Sequence, residues 1–323
     1  MSPESAVGGG TSPVALTGAT GFLGSHIWRA LRGSGRRVRA VVRSPEKAVP
    51  INRWNDEVRR ADLSDAPALT VALRGASAVV ANAALGSWQG DLDRFFAVNV
   101  EGVRHLLGAM HSAGVRRLVF ISTVAVCRTR PWVWQGDDSP RYGADGKRGR
   151  WQLSDLTTDW RYAVTKSVGE DLATELAGRY DIQLTVLRPG PVFGVGDPKL
   201  TQRYLKMWRS RLCWAPTVGV PQVCATDVAA AVVAALARPL SVGATYTLAG
   251  PPTSPFEVVS TMRQLAARGP VVVPVPVPVW VAWDTRRAQA ELDFSSRPLS
   301  EALADVLRAE GVELTAQAPT LES

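Results

Sequence analysis

Val14-Ala15-Leu16-Thr17-Gly18-Ala19-Thr20-Gly21-Phe22-Leu23-Gly24 is a short apolar run that passes into three glycines, each three residues from the next. Val14 to Leu16 reads as a buried strand, and Ser25-His26-Ile27-Trp28-Arg29-Ala30-Leu31, just beyond, reads as a helix. At such a junction Gly18 permits a sharp turn, Gly21 lets the backbone approach a pyrophosphate, and Gly24 lets the helix pack close on the strand. The N–H groups that open the helix then attract phosphate charge. The stretch is therefore read as a dinucleotide-binding turn.

Outward from this turn the chain keeps alternating strand and helix signals. Val38 to Val42 is a second strand, Val58 to Leu63 a third ending in Asp62-Leu63, and Ala78 to Ala84 a fourth ending in the small residues Asn82-Ala83-Ala84. Helical periodicity runs from Asp91 to Met110; Arg117 to Thr123 is a fifth strand, Tyr162 to Tyr180 a helix, and Leu184 to Gly190 a strand and turn. This alternation predicts an α/β fold, a doubly wound parallel sheet of Rossmann type. Arg43 and Ser44 follow the second strand, 19 residues past Gly24 in the case of Arg43. An acid there would bind a ribose diol, whereas an arginine accommodates a 2′-phosphate, so NADP is expected as cofactor, with NAD possible.

Beyond Gly194 the pattern changes. Lys199 to Arg211 is an amphipathic helix with Arg203, Lys206 and Arg209 on its polar face, which suits solvent or a phosphate. Asp227 to Ala237 is an apolar helix that returns to the sheet, and the proline-punctuated run Val271 to Pro278 cannot be a central strand. The expected organisation is a tail at 1–12, a nucleotide-binding domain at 13–193 and 226–249, a smaller substrate-binding lobe at 194–225 and 250–313, and a tail at 314–323.

Composition excludes several classes. Apolar content is 46% and charged content 20%, as in soluble globular proteins. The three cysteines, Cys127, Cys213 and Cys224, are unclustered, so neither a disulfide framework nor a metal site is expected, and a reducing cytoplasm is the expected location. The first ten residues lack the basic-then-apolar order of a secretory signal. Neither a membrane span nor a membrane partner is expected, because no apolar window reaches the roughly 18 residues required. The net charge of +8 is scattered among arginines, which argues against a nucleic-acid surface. His26, His105 and His111 have no acid or cysteine at ligand spacing and are read as structural, and Cys127 as a small buried side chain.

Tyr162-Ala163-Val164-Thr165-Lys166 carries the chemistry. Residues four apart share a helix face, so phenol and ammonium point the same way. A free phenol has a pKa near ~10, and a neighbouring lysine charge favours the phenolate. The pair is then expected to move a proton on a substrate oxygen while a hydride passes to or from nicotinamide.

Together these segments resemble the extended short-chain dehydrogenase/reductases, the NAD(P)-dependent epimerase/dehydratase family. The resemblance runs from Val14 to about Ala249 and rests on Thr17 to Gly24, Asp62-Leu63, Asn82-Ala83-Ala84, Asn99-Val100-Glu101-Gly102, Ser122-Thr123, Tyr162 with Lys166, and Arg188-Pro189-Gly190. It implies that Tyr162 is the acid–base residue, that Lys166 also holds the nicotinamide ribose, and that Thr123, in preference to Ser122, hydrogen-bonds the reacting oxygen. It implies cofactor contacts at Gly18, Thr20, Gly21, Phe22, Leu23, Gly24, Arg43, Ser44, Asp62, Leu63, Asn82, Ala83, Ala84, Tyr162, Lys166, Pro189, Gly190 and Val192. Helices 92–110 and 162–178 are where such chains often pair, so a homodimer is expected there.

Departures from the family's pattern narrow the reaction. Val124-Ala125 replace the two acids of the dehydratases, and Pro191 stands where many nucleotide-sugar enzymes place an asparagine. Seven tryptophans in the three pocket-facing segments suggest an aromatic-walled site: Trp88, then Trp132, Trp134, Trp151 and Trp160 in the 128–160 loop, and Trp208 and Trp214 in the cap. Trp88, Thr123, Trp208 and Trp214 are the candidate substrate contacts. The expected activity is NADP-dependent interconversion of a ketone and a secondary alcohol on a bulky, largely apolar molecule of polyketide, terpenoid or steroid type. A carbohydrate epimerase using the cofactor transiently is the alternative, and a non-catalytic nucleotide sensor the second.

Overall fold

The computed structural model describes residues 12–48, 57–86, 90–127, 134–135 and 159–315, with the backbone alone at 47–48 and 134–135. The N-terminal tail to residue 11, Trp88, Trp132 and Trp151, and the side chain of Trp134 lie outside the described residues.

Strands β1 (Val14–Thr17), β2 (Val38–Val42), β3 (Glu57–Arg60), β4 (Ala78–Ala81), β5 (Arg117–Ile121), β6 (Gln183–Pro189), β7 (Leu212–Pro216), β8 (Thr245–Leu248) and β9 (Val271–Val275) carry the architecture. Seven of them form one sheet in the order β8-β6-β5-β4-β1-β2-β3, and every pairing within it is parallel. Strand order reverses between β1 and β4, the point at which doubly wound sheets open a crevice for ligands. The strands β1, β2 and β4 are buried throughout, as a sheet covered on both faces requires.

Helices α1 (Phe22–Gly33) and α7 (Ala225–Ala237) cover one face. The α1 stripe of Ile27, Trp28 and Leu31 packs there with Val228, Val232 and Ala235 of α7 against Leu16, Val80 and Val119. Helices α2 (Ala66–Leu73), α3 (Leu92–Phe96), α4 (Gly102–Ala113) and α5 (Trp160–Tyr180) lie on the other, where Leu69, Leu107, Met110, Ala173 and Leu176 meet Val79 and Leu118. The expected single helix from Asp91 to Met110 is interrupted by a π turn at Ala97–Glu101. Its cause is tertiary: α5 presses on it so closely that a Cβ at Gly169 would stand 2.2 Å from the Asn99 carbonyl oxygen.

A separate core gathers α6 (Leu200–Trp208), α8 (Pro255–Ala266) and a C-terminal helix (Leu299–Ala309) around Leu205, Met262, Leu303 and Leu307. The parallel two-stranded ribbon of β7 and β9 lies against this core. Helix α9 (Arg286–Leu292), expected in the lobe, belongs to the sheet instead. Ala288, Leu292 and Phe294 pack in the sheet core, the Tyr246 hydroxyl of β8 donates to Glu291 at 2.6 Å, and Arg238 donates to the Glu291 carbonyl at 2.8 Å. Thr315, expected in the tail, is tied back by its N–H to the Leu265 carbonyl at 2.8 Å.

Candidate active site

The turn after β1 has the form that a pyrophosphate requires. Gly18 sits at φ +68°, and a Cβ there would meet the Ala83 backbone at 3.0 Å. A Cβ at Gly24 would fall 1.9 Å from the Gly18 carbonyl oxygen, whereas one at Gly21 would find only that oxygen, at 3.3 Å. The turn is thus closed behind Gly18 and Gly24 and open in front of Gly21. Helix α1 has no side-chain cap, which leaves its first-turn N–H groups to an anion. Thr17 locks β1 to β4, its buried hydroxyl accepting from the N–H groups of Asn82 and Ala83, both at 3.1 Å, while Asn82 Nδ2 donates to the Gly18 carbonyl at 3.3 Å. These residues fit a dinucleotide.

At the carboxyl end of β2, Arg43 is exposed and its Nε lies 3.8 Å from the Asp62 carboxylate. Partial burial raises the Asp62 pKa, but two hydrogen bonds from Ser64 and the Arg43 charge outweigh it and hold the carboxyl below its ordinary value. Leu63 is held by α4: its carbonyl bonds His105 Nδ1 at 2.9 Å, and its side chain packs on Gly102. Thr20 is exposed, Phe22, Leu23 and Ser44 are half-buried, and Ala84 is exposed. Pro189 ends β6, where the Gly190 N–H donates to the Leu248 carbonyl at 2.8 Å; half-buried Val192 pairs with Val223.

Tyr162, Thr123 and Lys166 converge where β5 ends against α5. Asp159 caps α5, its side chain accepting from the Arg161 N–H at 3.1 Å, and so sets the first turn that carries Tyr162. The Thr123 hydroxyl accepts from the Ala125 N–H at 3.2 Å and lies close enough to the Tyr162 phenol to draw its pKa down. Lys166 Nζ donates to the Ile121 carbonyl at 2.8 Å and lies 4.8 Å from the centre of the Phe120 ring. The expectation that this lysine acidifies the phenol is not met here. Burial pushes Tyr162 up to about 12, against the opposing pull of Thr123, and pushes Lys166 down to about 8, against the opposing charge of Glu170. With its ammonium turned to Ile121, desolvation dominates both groups.

Ser122 is committed elsewhere: its hydroxyl donates to Glu170, which is buried and paired with Arg188 Nη2 at 2.6 Å. Thr123 is therefore the hydroxyl at Tyr162. Three residues absent from the expected site organise it from behind. Glu170 and Arg188 tie α5 to β6, and Asn99 ties α5 to the loop after β4, its Oδ1 accepting from the Leu85 N–H at 2.8 Å and its Nδ2 donating to Thr165 at 3.3 Å. The buried carboxylate one helical turn past Lys166 was the available signal for the first pair.

The candidate substrate residues separate. Trp208 is part of the lobe core, with its indole N–H on the Arg268 carbonyl at 3.1 Å and the Arg268 guanidinium over its ring, so it is a packing residue and not a pocket wall. Trp214 points out of the ribbon and is 65% exposed. Trp160 is half-buried beside Ala125, Ala163 and Val164. Trp283, which sequence reasoning missed, packs with Val124, Val126 and Cys127 just after Thr123. It borders a cavity of about 1100 Å³ past the end of β8, shared with Gly250, Arg286, Gln289, Phe294 and Ser296. The histidines are structural in placement: His26 Nε2 bonds the Val195 carbonyl at 2.9 Å, and His111 stacks on Tyr180. Among the described residues no cluster of three or more His, Cys, Asp or Glu is placed to hold a metal ion, and no helix is long and apolar enough to cross a membrane.

A seven-stranded parallel sheet with a glycine turn at its switch point and a tyrosine–lysine pair two strands away defines a nucleotide-binding class. The sequence matches the NAD dependent epimerase/dehydratase family over residues 14–249, and the chain belongs to that family. It is 32% identical over 192 residues to sterol demethylase protein B of Methylococcus capsulatus, covering 58% of this chain and 54% of that protein. It is 30% identical over 276 residues to cinnamoyl-CoA reductase 1 of Oryza sativa subsp. japonica, covering 80% of this chain and 77% of that one. The chain spans about half the length of several of the curated relatives it matches, including the first of these two. Among solved structures it resembles MoeE5 in complex with UDP-glucose and NAD, at a TM-score of 0.74 and 27% identity over 93% of this chain and 99% of that one.

Proposed function

We propose that this chain is an NADP-dependent oxidoreductase that interconverts a ketone and a secondary alcohol on a bulky, largely apolar small molecule. The observation that carries the reading is the convergence of Tyr162, Thr123 and Lys166 at the end of β5, beside a turn that fits a dinucleotide. In the reducing direction the Tyr162 hydroxyl gives its proton to the carbonyl oxygen while Thr123 hydrogen-bonds the same oxygen. Lys166 supplies positive charge near the resulting phenolate and holds the nicotinamide ribose. The bound dinucleotide supplies the hydride that completes the alcohol. Arg43, exposed where β2 ends, meets a 2′-phosphate and supports NADP over NAD.

Two relatives carry names that speak of a sterol and of cinnamoyl-CoA, which supports a largely apolar substrate. The epimerase reading draws on the likeness to MoeE5 with its UDP-glucose and NAD. Cofactor stoichiometry separates the two. With an apolar ketone, one NADPH is expected to be oxidised per alcohol formed, and Tyr162→Phe to lower kcat by about 100-fold or more while leaving NADPH affinity unchanged. Turnover of a nucleotide sugar without net NADPH loss would favour the epimerase, and full activity in Tyr162→Phe would overturn both.

A further inference from the structure

The ribbon of β7 and β9 exposes an apolar face that the site does not use. Leu212, Trp214 and Pro216 stand opposite Val271, Val273 and Val275 in register, so these side chains share one side of the ribbon. The other side, with Cys213, Ala215 and Val272, packs on the lobe core. On the outward side Leu212 is 51%, Trp214 65% and Val271 59% exposed. Large side chains gathered in this way mark an interaction surface.

Two further features identify the occupant. The first is the outer edge of the ribbon, unpaired among the described residues. The Val271 N–H donates to the Arg211 carbonyl and the Val275 carbonyl accepts from the Thr217 N–H, so the backbone groups of 271, 273 and 275 face β7. Those of 272, 274 and 276 face the opposite edge, and two of these residues are Pro274 and Pro276, which have no N–H. The edge thereby resists an added strand, from a second copy or a peptide, and leaves the apolar face as the docking surface.

The second feature is charge. Residues 198–226 hold Lys199, Arg203, Lys206, Arg209 and Arg211 with no carboxylate, and residues 258–283 hold Arg263 and Arg268 with none. All seven are exposed; Arg211 lies one residue and Arg268 three residues from the ribbon's start, while Arg209 is paired with Glu310 at 2.6 Å. Tryptophan, leucine and valine flanked by arginine match the boundary between lipid headgroups and acyl chains. We propose that this face docks peripherally on an anionic phospholipid surface, with Leu212, Trp214 and Val271 at the acyl boundary and the flanking cations on lipid phosphates. No span is involved, and the inference is independent of the substrate.

The test is co-sedimentation of the full chain with vesicles of phosphatidylcholine alone and of phosphatidylcholine with an equal part of phosphatidylglycerol. Binding is expected to the mixed vesicles, about tenfold or more tighter than to the neutral ones, and to weaken as salt is raised. The double variant Leu212→Glu/Val271→Glu is expected to lose binding by a similar factor while keeping its melting temperature and NADPH affinity. Failure of the wild type to sediment with either vesicle would overturn the proposal. So would unchanged binding by a folded double variant, or a concentration-dependent dimer, seen by sedimentation velocity, that the variant abolishes in a chain without affinity for lipid.

Discussion

Lys166 is buried and Tyr162 half-buried, and desolvation moves them in opposite directions, the phenol up to about 12 and the ammonium down to about 8. At neutral pH the phenol therefore carries its proton, the form needed to complete reduction of a carbonyl. The lysine has a consequence for stability. Its folded pKa lies below the value near ~10.4 of an unfolded chain, so between these limits the unfolded state binds the extra proton and stability rises with pH. The cost of the buried charge is fully present below about pH 8 and is gone above the unfolded value. Lys166→Met removes this dependence. Measured by urea denaturation, wild type is expected to gain about 3 kcal/mol relative to Lys166→Met between pH 7 and pH 10.5. A constant difference across that range would show that the lysine is solvated. That Tyr162 and Lys166 share a helix face near the end of β5 was legible in their spacing and context, but the direction of the phenol shift was not. Spacing places two side chains on one face without saying that a backbone carbonyl, here that of Ile121, takes the ammonium.

At the scale of elements, the strand–turn–helix at Gly18–Gly24 was readable because each glycine answers a local demand. Gly24 shows how tight that demand is, since a Cβ would stand 1.9 Å from the Gly18 carbonyl oxygen, an approach that backbone must relieve by moving. Gly24→Ala is expected to cost about 2–3 kcal/mol in chemical denaturation and to weaken nucleotide binding with it. Stability equal to wild type would mean that helix and turn are less closely packed than they stand here. The π turn at Ala97–Glu101 was not readable, because neither glycine nor proline marks it and its cause sits on α5, at Gly169. The proline-rich run from Val271 was correctly barred from the sheet centre. Its partner, Leu212–Pro216, lies too far along the chain for local pattern to name, so the apolar face they build together was invisible in either segment alone.

Across the whole molecule, the alternation of strands and helices made the parallel sheet legible, while its strand order and the allegiance of the C-terminal segments depended on contacts that no window contains. Helix α9 joins the sheet because Tyr246 and Arg238, both far upstream, reach Glu291. Arg297 then links the two cores, its Nε 3.2 Å from Asp227 in α7 and its Nη1 3.1 Å from Asp305 in the C-terminal helix. Trp208 was assigned to a pocket for its type and segment, yet the lobe needed it as core. These parts fit the proposed nucleotide, which would lie across the switch point from the Gly18–Gly24 turn towards Tyr162. Isothermal titration of the full chain with NADPH and with NADH tests this most directly. Saturable binding of one NADPH per chain, about tenfold or more tighter than NADH, is the expected result. No saturable binding of either nucleotide to folded protein would contradict the account.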